Sequence, residues 1–153
     1  MTCYFLQADY DALLERIEDL REKIKDRYKT VVESAEQSSE TWHDNYEHEE
    51  GQRQIAMLGQ RLESLVAVVN AAEMVTPEVG DQVDIGARVT TEDVESGELR
   101  TYAICGFMCL TGAEDAISYT SPIAKSLMGA KVGEIREITT GPTTRSLRIM
   151  KIE

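Results

Sequence analysis

A long stretch of this chain contains no proline, and apolar residues recur in it every three or four positions. Residues 9–74 contain no proline and only two glycines, Gly51 and Gly59. Alternating steps of three and four are the spacing of a helix with one apolar stripe. The stripe comes in two series separated near residues 38–41, the first made of Tyr10, Leu13, Ile17, Leu20, Ile24, Tyr28, Val31 and Ala35, and the second of Ile55, Leu58, Leu62, Leu65, Val69 and Ala72.

Two helices of this kind can bury their stripes against each other, whereas one alone would leave its stripe in water. A short turn between them produces an antiparallel pair. We therefore predict an α-helical coiled-coil hairpin over residues 1–75, with an acidic tip near 38–47. Each arm of roughly 30 residues would be about 45 Å long. Large aliphatic residues become scarce towards the turn, so we expect a slim, polar tip.

The second half of the chain has the pattern of short strands. Pro77 and Gly80 break the helical pattern, and residues 76–80 are predicted to be a linker. Strands are predicted at residues 82–91, 99–105, 116–119, 134–139 and 146–152, with a hairpin turn at 95–98. A short helix is predicted between 121 and 128, capped by Ser121, with Pro122 at its first position and Gly129 at its end. The sequence thus predicts an α+β protein in which residues 81–153 form a small α+β domain.

Composition excludes several functional classes. The formal net charge of −12 argues against binding nucleic acid unaided or binding an anionic membrane surface. No apolar run approaches the ~20 residues that span a bilayer, and the N-terminus lacks the basic region of a signal peptide. Three cysteines give no paired framework, which fits a reducing cytosol. Cys105 and Cys109 are expected to be buried strand residues rather than metal ligands.

Residues 33–50 contain seven carboxylates and neither lysine nor arginine. Carboxylate oxygens suit Mg²⁺, a hard ion that keeps several of its waters. One or two added carboxylates can hold a second metal, as two-metal phosphodiester hydrolysis requires. The alternative is an ordinary solvated helix face. The seven acids are Glu33, Glu36, Glu40, Asp44, Glu47, Glu49 and Glu50.

Several segments together resemble one protein family. Residues 117–134, ISYTSPIAKSLMGAKVGE, resemble the signature of the C-terminal domain of GreA and GreB, the bacterial transcript cleavage factors. Residues 89–98, VTTEDVESGE, and the ending IMKIE support this resemblance. Residues 45–52, NYEHEEGQ, resemble the family stretch after the hairpin turn, and residues 61–75 resemble its return helix. The serine-proline stretch that runs into the glycine-lysine-valine-glycine motif is specific, whereas the helix matches are weak alone.

The resemblance implies a fold and a mode of action. It implies an FKBP-like C-terminal domain that docks at the secondary channel of bacterial RNA polymerase, and a coiled coil that enters that channel. Tip acids, here Asp44, Glu40 and Glu47, would help hold Mg²⁺ in the polymerase active site, so that backtracked RNA is cleaved. Mg²⁺ would be shared, with Asp44 and Glu40 as its ligands from this chain, which would have no cofactor of its own and would be an accessory factor rather than an enzyme.

The same resemblance assigns contacts to particular residues. Arg53 would contact the 3′ end of the nascent RNA. A cytoplasmic monomer with no membrane contact is expected, and prolyl isomerase activity is not expected because the domain offers few aromatic residues. The polymerase-facing edge would be made of Thr120, Ser121, Pro122, Ile123 and Lys125, for which a helix cap and its packing are the structural alternative.

The tip departs from the family pattern. The family turn usually reads D-L-x-E-N, and its two acids are functional; the matching residues 41–45 here are TWHDN. Asp44 preserves the second acid in shortened form, but Thr41 replaces the first. Thr41 and Asp44 have the spacing of a capping box, so the substitution keeps the helix cap and loses a charge. Glu40, next to Thr41, is the alternative source of the missing carboxylate.

The histidines and the single tryptophan near the tip have structural explanations. His43 and His48 are five residues apart, about 140° around a helix, and the H-E-x-x-H pattern fails at its last position. Pairing of Asp44 with His48 and of His43 with Glu47 is favoured over a zinc site. Trp42 either packs the turn onto the hairpin or stacks on a base or a polymerase residue.

Three functions stay open from the sequence. The first is a transcript cleavage factor, and the second is a Gre-like protein that enters the same channel without stimulating cleavage and inhibits or modulates the polymerase. The missing first acid favours the second more than in a typical family member. The third, a coiled-coil adaptor or an FKBP-like chaperone, requires the signature stretch to be coincidental.

Overall fold

The computed structural model describes residues 1–37 and 43–153, without the side chains of residues 34, 35, 37 and 43–47. The chain divides into two compact units, one made of residues 13–71 and the other of residues 1–12 and 72–153. The predicted α+β class is confirmed. In chain order the described elements are β1 (Cys3–Phe5), α1 (Gln7–Gln37), α2 (His43–Asn70), β2 (Ala72–Met74), β3 (Arg88–Asp93), β4 (Leu99–Cys105), β5 (Ala116–Ser118), α3 (Pro122–Leu127), β6 (Ile135–Thr140) and β7 (Thr143–Ile152).

The first unit consists of two long helices, as the apolar spacing predicts. Burial along α1 is greatest near its start, where Leu13, Ile17 and Leu20 are buried, and it declines until Tyr28 is 56% exposed. The predicted break near residues 38–41 lies outside the described residues. In the described part of the chain no helix is long and apolar enough to cross a membrane.

The two helices run antiparallel within this unit. Leu20 of α1 lines one groove together with Leu58 and Leu65 of α2. Val31, farther along α1, lies against Gly51, which is nearer the start of α2, and a Cβ atom at Gly51 would lie 2.6 Å from Val31 Cγ2. The apolar stripes of α1 and α2 thus meet through leucine side chains in one region and through the close approach of Val31 to Gly51 in the other.

The second unit is built on a five-stranded sheet with the order β5-β4-β3-β7-β6. All neighbouring strands pair antiparallel except β4 and β5, which are parallel. Strands β3, β4, β6 and β7 and helix α3 contribute to one hydrophobic core, which is made of Val83, Val89, Ile104, Ala124, Leu127, Ala130, Ile138, Leu147 and Ile149. Burial of these side chains stabilises the unit by removing apolar area from water.

Four of the five strands predicted in this half occur close to their expected bounds. The first predicted strand, 82–91, is displaced: β3 begins at Arg88, and Gln82 forms only an isolated bridge with Lys131. The chain turns before β3 because Gly86 adopts a φ of +93°, where a Cβ atom would lie 2.6 Å from the Pro77 side chain. Only glycine adopts this backbone conformation without strain.

The strands β1 and β2 are absent from the sequence prediction. They pair parallel, with Tyr4 opposite Glu73, and the Val75 amide donates to the Phe5 carbonyl at 2.8 Å. Residues 1–12 therefore belong to the second unit, which differs from the predicted hairpin domain of residues 1–75. Strands of three residues are too short to show an alternating pattern.

The expectation for the cysteines is partly wrong. Cys105 is buried at the end of β4, as predicted, but Cys109 lies beyond the strand, is only half-buried, and forms a disulfide with Cys105. The Cα atoms of the pair are 5.7 Å apart, an ordinary disulfide separation. The disulfide was not predicted from composition because an odd number of cysteines does not exclude one disulfide between neighbouring cysteines. Cys3 is free and buried.

Candidate functional site

The start of helix α3 presents the residues that the resemblance places at the polymerase. Ser121 is the N-cap, with φ −67° and ψ 150°, and its side chain accepts a hydrogen bond from the Ala124 amide. Pro122 stands at the first helical position, where its missing N–H costs nothing. The predicted cap is confirmed. The cap holds residues 120–125 in a fixed shape, which favours recognition by a rigid partner surface.

The preceding residues extend this local network. Ser118 Oγ lies 2.8 Å from Thr120 Oγ1 and accepts from the Thr120 amide, while the Ser121 amide donates to the Ser118 carbonyl. The predicted docking residues thus form one short surface segment on a capped turn, in which Thr120, Pro122 and Lys125 are exposed and Ser121 and Ile123 are half-buried.

Ile123 points in a different direction from its exposed neighbours. It lines a cavity of about 210 Å³ together with Ile138 and Leu147 of the core sheet. Tyr102 is the one aromatic residue in the described lining. A mostly apolar floor next to an exposed docking segment is suited to receive an apolar side chain of a partner.

The rim of this cavity is charged. The Arg100 side chain lies 3.0 Å from Glu98 Oε1, and this hydrogen bond with the carboxylate raises the pKa of Arg100. Amide hydrogen bonds from Ser96 and then Glu95 lower the pKa of Asp93, because they stabilise its charged form. The rim therefore carries fixed charges of both signs around an apolar floor. The cavity was not predicted from the sequence, in which its lining residues appear only as alternating residues of separate strands.

The structure describes the tip acids only in part. Asp44 and Glu47 lie in the first turns of α2, three residues apart and so on one side of the helix. Their side chains, and the whole of Glu40, Thr41 and Trp42, lie outside the described residues. The predicted capping box and the pairing of Asp44 with His48 stay predictions. No group of three or more residues able to hold a metal ion occurs in the parts described, 1–37 and 43–153.

Arg53, the predicted RNA contact, is paired within its own helix. Its Nη1 lies 3.1 Å from Glu50 Oε2, and both side chains are exposed. An exposed ion pair at this spacing stabilises a helix by only about 0.5 kcal/mol. An anion that binds the Arg53 guanidinium more tightly can therefore displace Glu50. On the same helix, nearer its start, His48 Nε2 lies 3.1 Å from Gln52 Nε2.

Comparison with known proteins places the chain among transcription factors by sequence similarity. The family model described as transcription elongation factor, GreA/GreB, C-term, matches residues 77–153, which include the whole docking segment and the cavity. The transcription elongation factor GreA of Neorickettsia sennetsu is 30% identical over 94% of this chain and 91% of its own length. The transcription inhibitor protein Gfh1 of Thermus aquaticus is 26% identical over 95% of this chain and 93% of its own length.

Among solved structures, the GreA factor homolog 1 of Thermus thermophilus covers the whole of this chain and 99% of its own, with 24% identity and a TM-score of 0.47. The family match covers half of the chain and coincides with the part in which the Ser121 cap and the core sheet were predicted from sequence. The chain belongs to the GreA/GreB family of transcription elongation factors.

Proposed function

We propose that this chain binds bacterial RNA polymerase at its secondary channel and stimulates cleavage of backtracked RNA by the polymerase active site. The observation that carries the proposal is the capped, exposed segment of residues 120–125 within the family domain. In this proposal the second unit is an FKBP-like docking domain, and the two helices are a coiled-coil hairpin that enters the channel. The protein acts in the cytoplasm as an accessory factor.

The docking step uses two kinds of contact. Pro122 and Lys125 offer an apolar ring and a cation on the exposed side of the segment, and the cavity behind Ile123 offers an apolar recess. The Ser121 cap and the hydrogen bond from Ser126 Oγ to the Pro122 carbonyl keep this surface ordered before binding. A surface ordered in advance loses less conformational entropy on association.

The cleavage step relies on carboxylates at the start of α2. Asp44 and Glu47 are at i and i+3, so they can offer two carboxylates from one side of the helix, with Glu40 as the third candidate. Mg²⁺, when bound by the polymerase, supplies the polarisation of the phosphodiester and the activated water. In this proposal the chain contributes negative charge beside the metal. Acids in the first turn of α2 also interact favourably with the helix dipole.

Arg53 is the proposed contact of the RNA 3′ end. Its guanidinium is held by Glu50 in the free protein and is exposed, so a phosphate can replace the carboxylate as its partner. Arg53 lies about two and a half turns beyond Asp44 on α2, so it is about 14 Å farther along the helix and on its opposite side.

A second candidate is a factor that enters the channel and inhibits the polymerase without stimulating cleavage. Thr41 in place of the family's first tip acid favours it, since threonine binds Mg²⁺ more weakly than a carboxylate. The similarity to a protein named as a transcription inhibitor, over most of both chains, supports the same alternative.

One assay separates the two candidates. Stalled, backtracked elongation complexes are incubated with the protein and Mg²⁺, and short 3′ RNA fragments are measured. Cleavage that disappears in Asp44→Ala but persists in Glu63→Ala, an exposed acid farther along α2, supports the first candidate. Slowed elongation without fragments, together with competition against an active Gre factor, supports the second.

Docking is tested with a matched pair of proline variants. Pro122→Glu places a charge on the docking segment at a helix position that tolerates acids, so the fold is retained. Pro142→Glu makes the same change in the exposed turn between β6 and β7. We expect polymerase affinity to fall about ten-fold or more only in Pro122→Glu. Equal affinity of both variants would contradict the docking assignment, and no polymerase binding by the wild type would refute both candidates.

A further inference from the structure

The loop between β4 and β5 receives the N-terminal segment of the chain. The Phe107 amide donates to the Tyr4 carbonyl at 2.6 Å, and Ser118 Oγ donates to the Gly106 carbonyl at 2.9 Å. A Cβ atom at Gly106 would collide with the Tyr4 carbonyl oxygen and lie 2.9 Å from Phe5 Cα. The loop and β1 thus meet backbone against backbone, which only glycine permits.

Asp9 fixes the far end of the same loop. Its side chain is 2% exposed, and its Oδ1 accepts hydrogen bonds from the Leu110 amide at 2.8 Å, the Thr111 amide at 2.8 Å and Thr111 Oγ1 at 2.9 Å. Three donors on one oxygen satisfy a buried carboxylate that would otherwise be costly. Asp9 lies in the first turn of α1, three residues before the end of the N-terminal segment of this unit.

The cysteine pair spans the loop between these two attachments. Cys105 immediately precedes Gly106, and Cys109 immediately precedes Leu110, whose amide binds Asp9. Cys105 is 5% exposed, whereas Cys109 is half-buried and within reach of small solutes. The more exposed of the two cysteines is therefore the one next to the Asp9 contact.

We propose that Cys105 and Cys109 are a reversible oxidation site that controls the stability of the Asp9 contact. The oxidant is a hydroperoxide: the Cys109 thiolate attacks its outer oxygen, the O–O bond breaks, and Cys109 becomes a sulfenic acid as hydroxide or alkoxide leaves. The Cys105 thiolate then attacks the Cys109 sulfur, the S–S bond forms and hydroxide leaves. Two thiolates of a small thiol reverse the reaction in two exchanges and are themselves oxidised to a disulfide.

The disulfide acts by restricting the open states of the loop. It closes a ring over a sequence separation of 4 residues, so that the loop has few conformations in which Leu110 and Thr111 can leave Asp9. The loop-closure entropy of so short a ring corresponds to a change of about thirty-fold at most in the opening equilibrium. We therefore expect the two amides to exchange about ten- to thirty-fold faster with solvent in the dithiol form.

The test uses the full-length protein and needs no polymerase, so its outcome is independent of the proposed function. Protein is treated with hydrogen peroxide or with reduced glutathione, denatured, and its free thiols are alkylated and counted by mass spectrometry. Of the three cysteines, the reduced sample should show three free thiols and the oxidised sample one, Cys3. Hydrogen exchange at Leu110 and Thr111 is measured on the same two samples.

Two variants complete the design. Cys109→Ser should be insensitive to peroxide and exchange at the rate of the reduced wild type, whereas Cys3→Ala should keep the full response. Three free thiols after peroxide treatment would overturn the proposal, as would a disulfide that contains Cys3. It would also be overturned if the Cys105–Cys109 bond forms but the two amides exchange at an unchanged rate. The comparison of reduced and oxidised wild type stands even if a variant does not fold.

Discussion

Replacing Asp9 with alanine should destabilise the second unit far more than replacing an exposed acid in the first turns of the same helix. The substitution removes an acceptor that is 2% exposed and leaves the Leu110 and Thr111 amides without their partner. Asp11→Ala is the matched control, since it removes the same charge from the same part of α1. Asp11 is exposed and accepts one hydrogen bond, from Gln7 Nε2 at 2.9 Å.

The expected loss follows from the three bonds that Asp9 accepts. Each hydrogen bond to a charged group contributes about 1.5–3 kcal/mol when both partners are buried. Thr111 is exposed in this structure, so water can replace part of what its amide and hydroxyl lose. We expect Asp9→Ala to lower the free energy of unfolding by about 3 kcal/mol and Asp9→Asn, which keeps an acceptor without its charge, by about 1 kcal/mol. Asp11→Ala should stay within about 0.5 kcal/mol of wild type.

Urea unfolding followed by far-ultraviolet circular dichroism measures the global effect. Hydrogen exchange at Leu110 and Thr111 measures the local one, with about hundred-fold faster exchange expected in Asp9→Ala if the full loss appears there. Both measurements are made on the reduced protein, so that the cysteine pair does not mask the change. A loss in Asp9→Ala no larger than in Asp11→Ala would contradict the role given to Asp9, because it would show that solvent satisfies the loop amides equally well.

Three further changes have defined outcomes. Gly59→Ala should raise the urea midpoint by an amount equivalent to about 1 kcal/mol, because a Cβ atom there meets nothing within 4 Å and alanine is the better helix former; an unchanged or lower midpoint would contradict this. Gly106→Ala should destabilise by about 1–3 kcal/mol through collision with the Tyr4 carbonyl, and a neutral effect on thermal unfolding would show that β1 yields easily. The pKa of Asp93 is lowered from 3.8 by amide hydrogen bonds from Ser96 and Glu95, so its contribution to the turn is present above that pH and is lost as pH falls through the folded pKa. In an NMR titration the Ser96 amide should therefore shift with a midpoint below 3.8 in wild type and show no such step in Asp93→Asn, whereas a midpoint at or above 3.8 would contradict the hydrogen bonds.

The family relationship narrows the biological question to the tip. The proposed docking relies on a segment whose cap and exposure are well defined, whereas the proposed cleavage relies on acids of which Asp44 and Glu47 are placed only by the backbone of α2. The two candidate functions differ in whether a carboxylate is needed at position 41, where this chain has Thr41. Restoring an acid there, as Thr41→Asp, should increase RNA cleavage if the protein docks like a cleavage factor, and should leave a pure inhibitor's docking unchanged.

Elements whose signals are local could be predicted from the sequence. The spacing of Leu13, Ile17 and Leu20 predicts α1 because helix periodicity repeats every 3.6 residues along the chain. Ser121 followed by Pro122 predicts the start of α3, because a cap is made within a single turn. The specific motif around this cap also identified the family, which the match over residues 77–153 bears out.

Contacts between distant residues could not be predicted from the sequence and are seen only in the folded chain. Asp9 and Leu110 are 101 positions apart, and a lone aspartate in an acidic first turn gives no sign that it will be buried. Strands β1 and β2 pair because each supplies the other's hydrogen bonds, and the backbone of Gly106 lies against that of Tyr4. The local sequence pattern determines which secondary structure a segment can form. The hydrogen-bond partners of its buried polar groups depend on which distant segments pack against it.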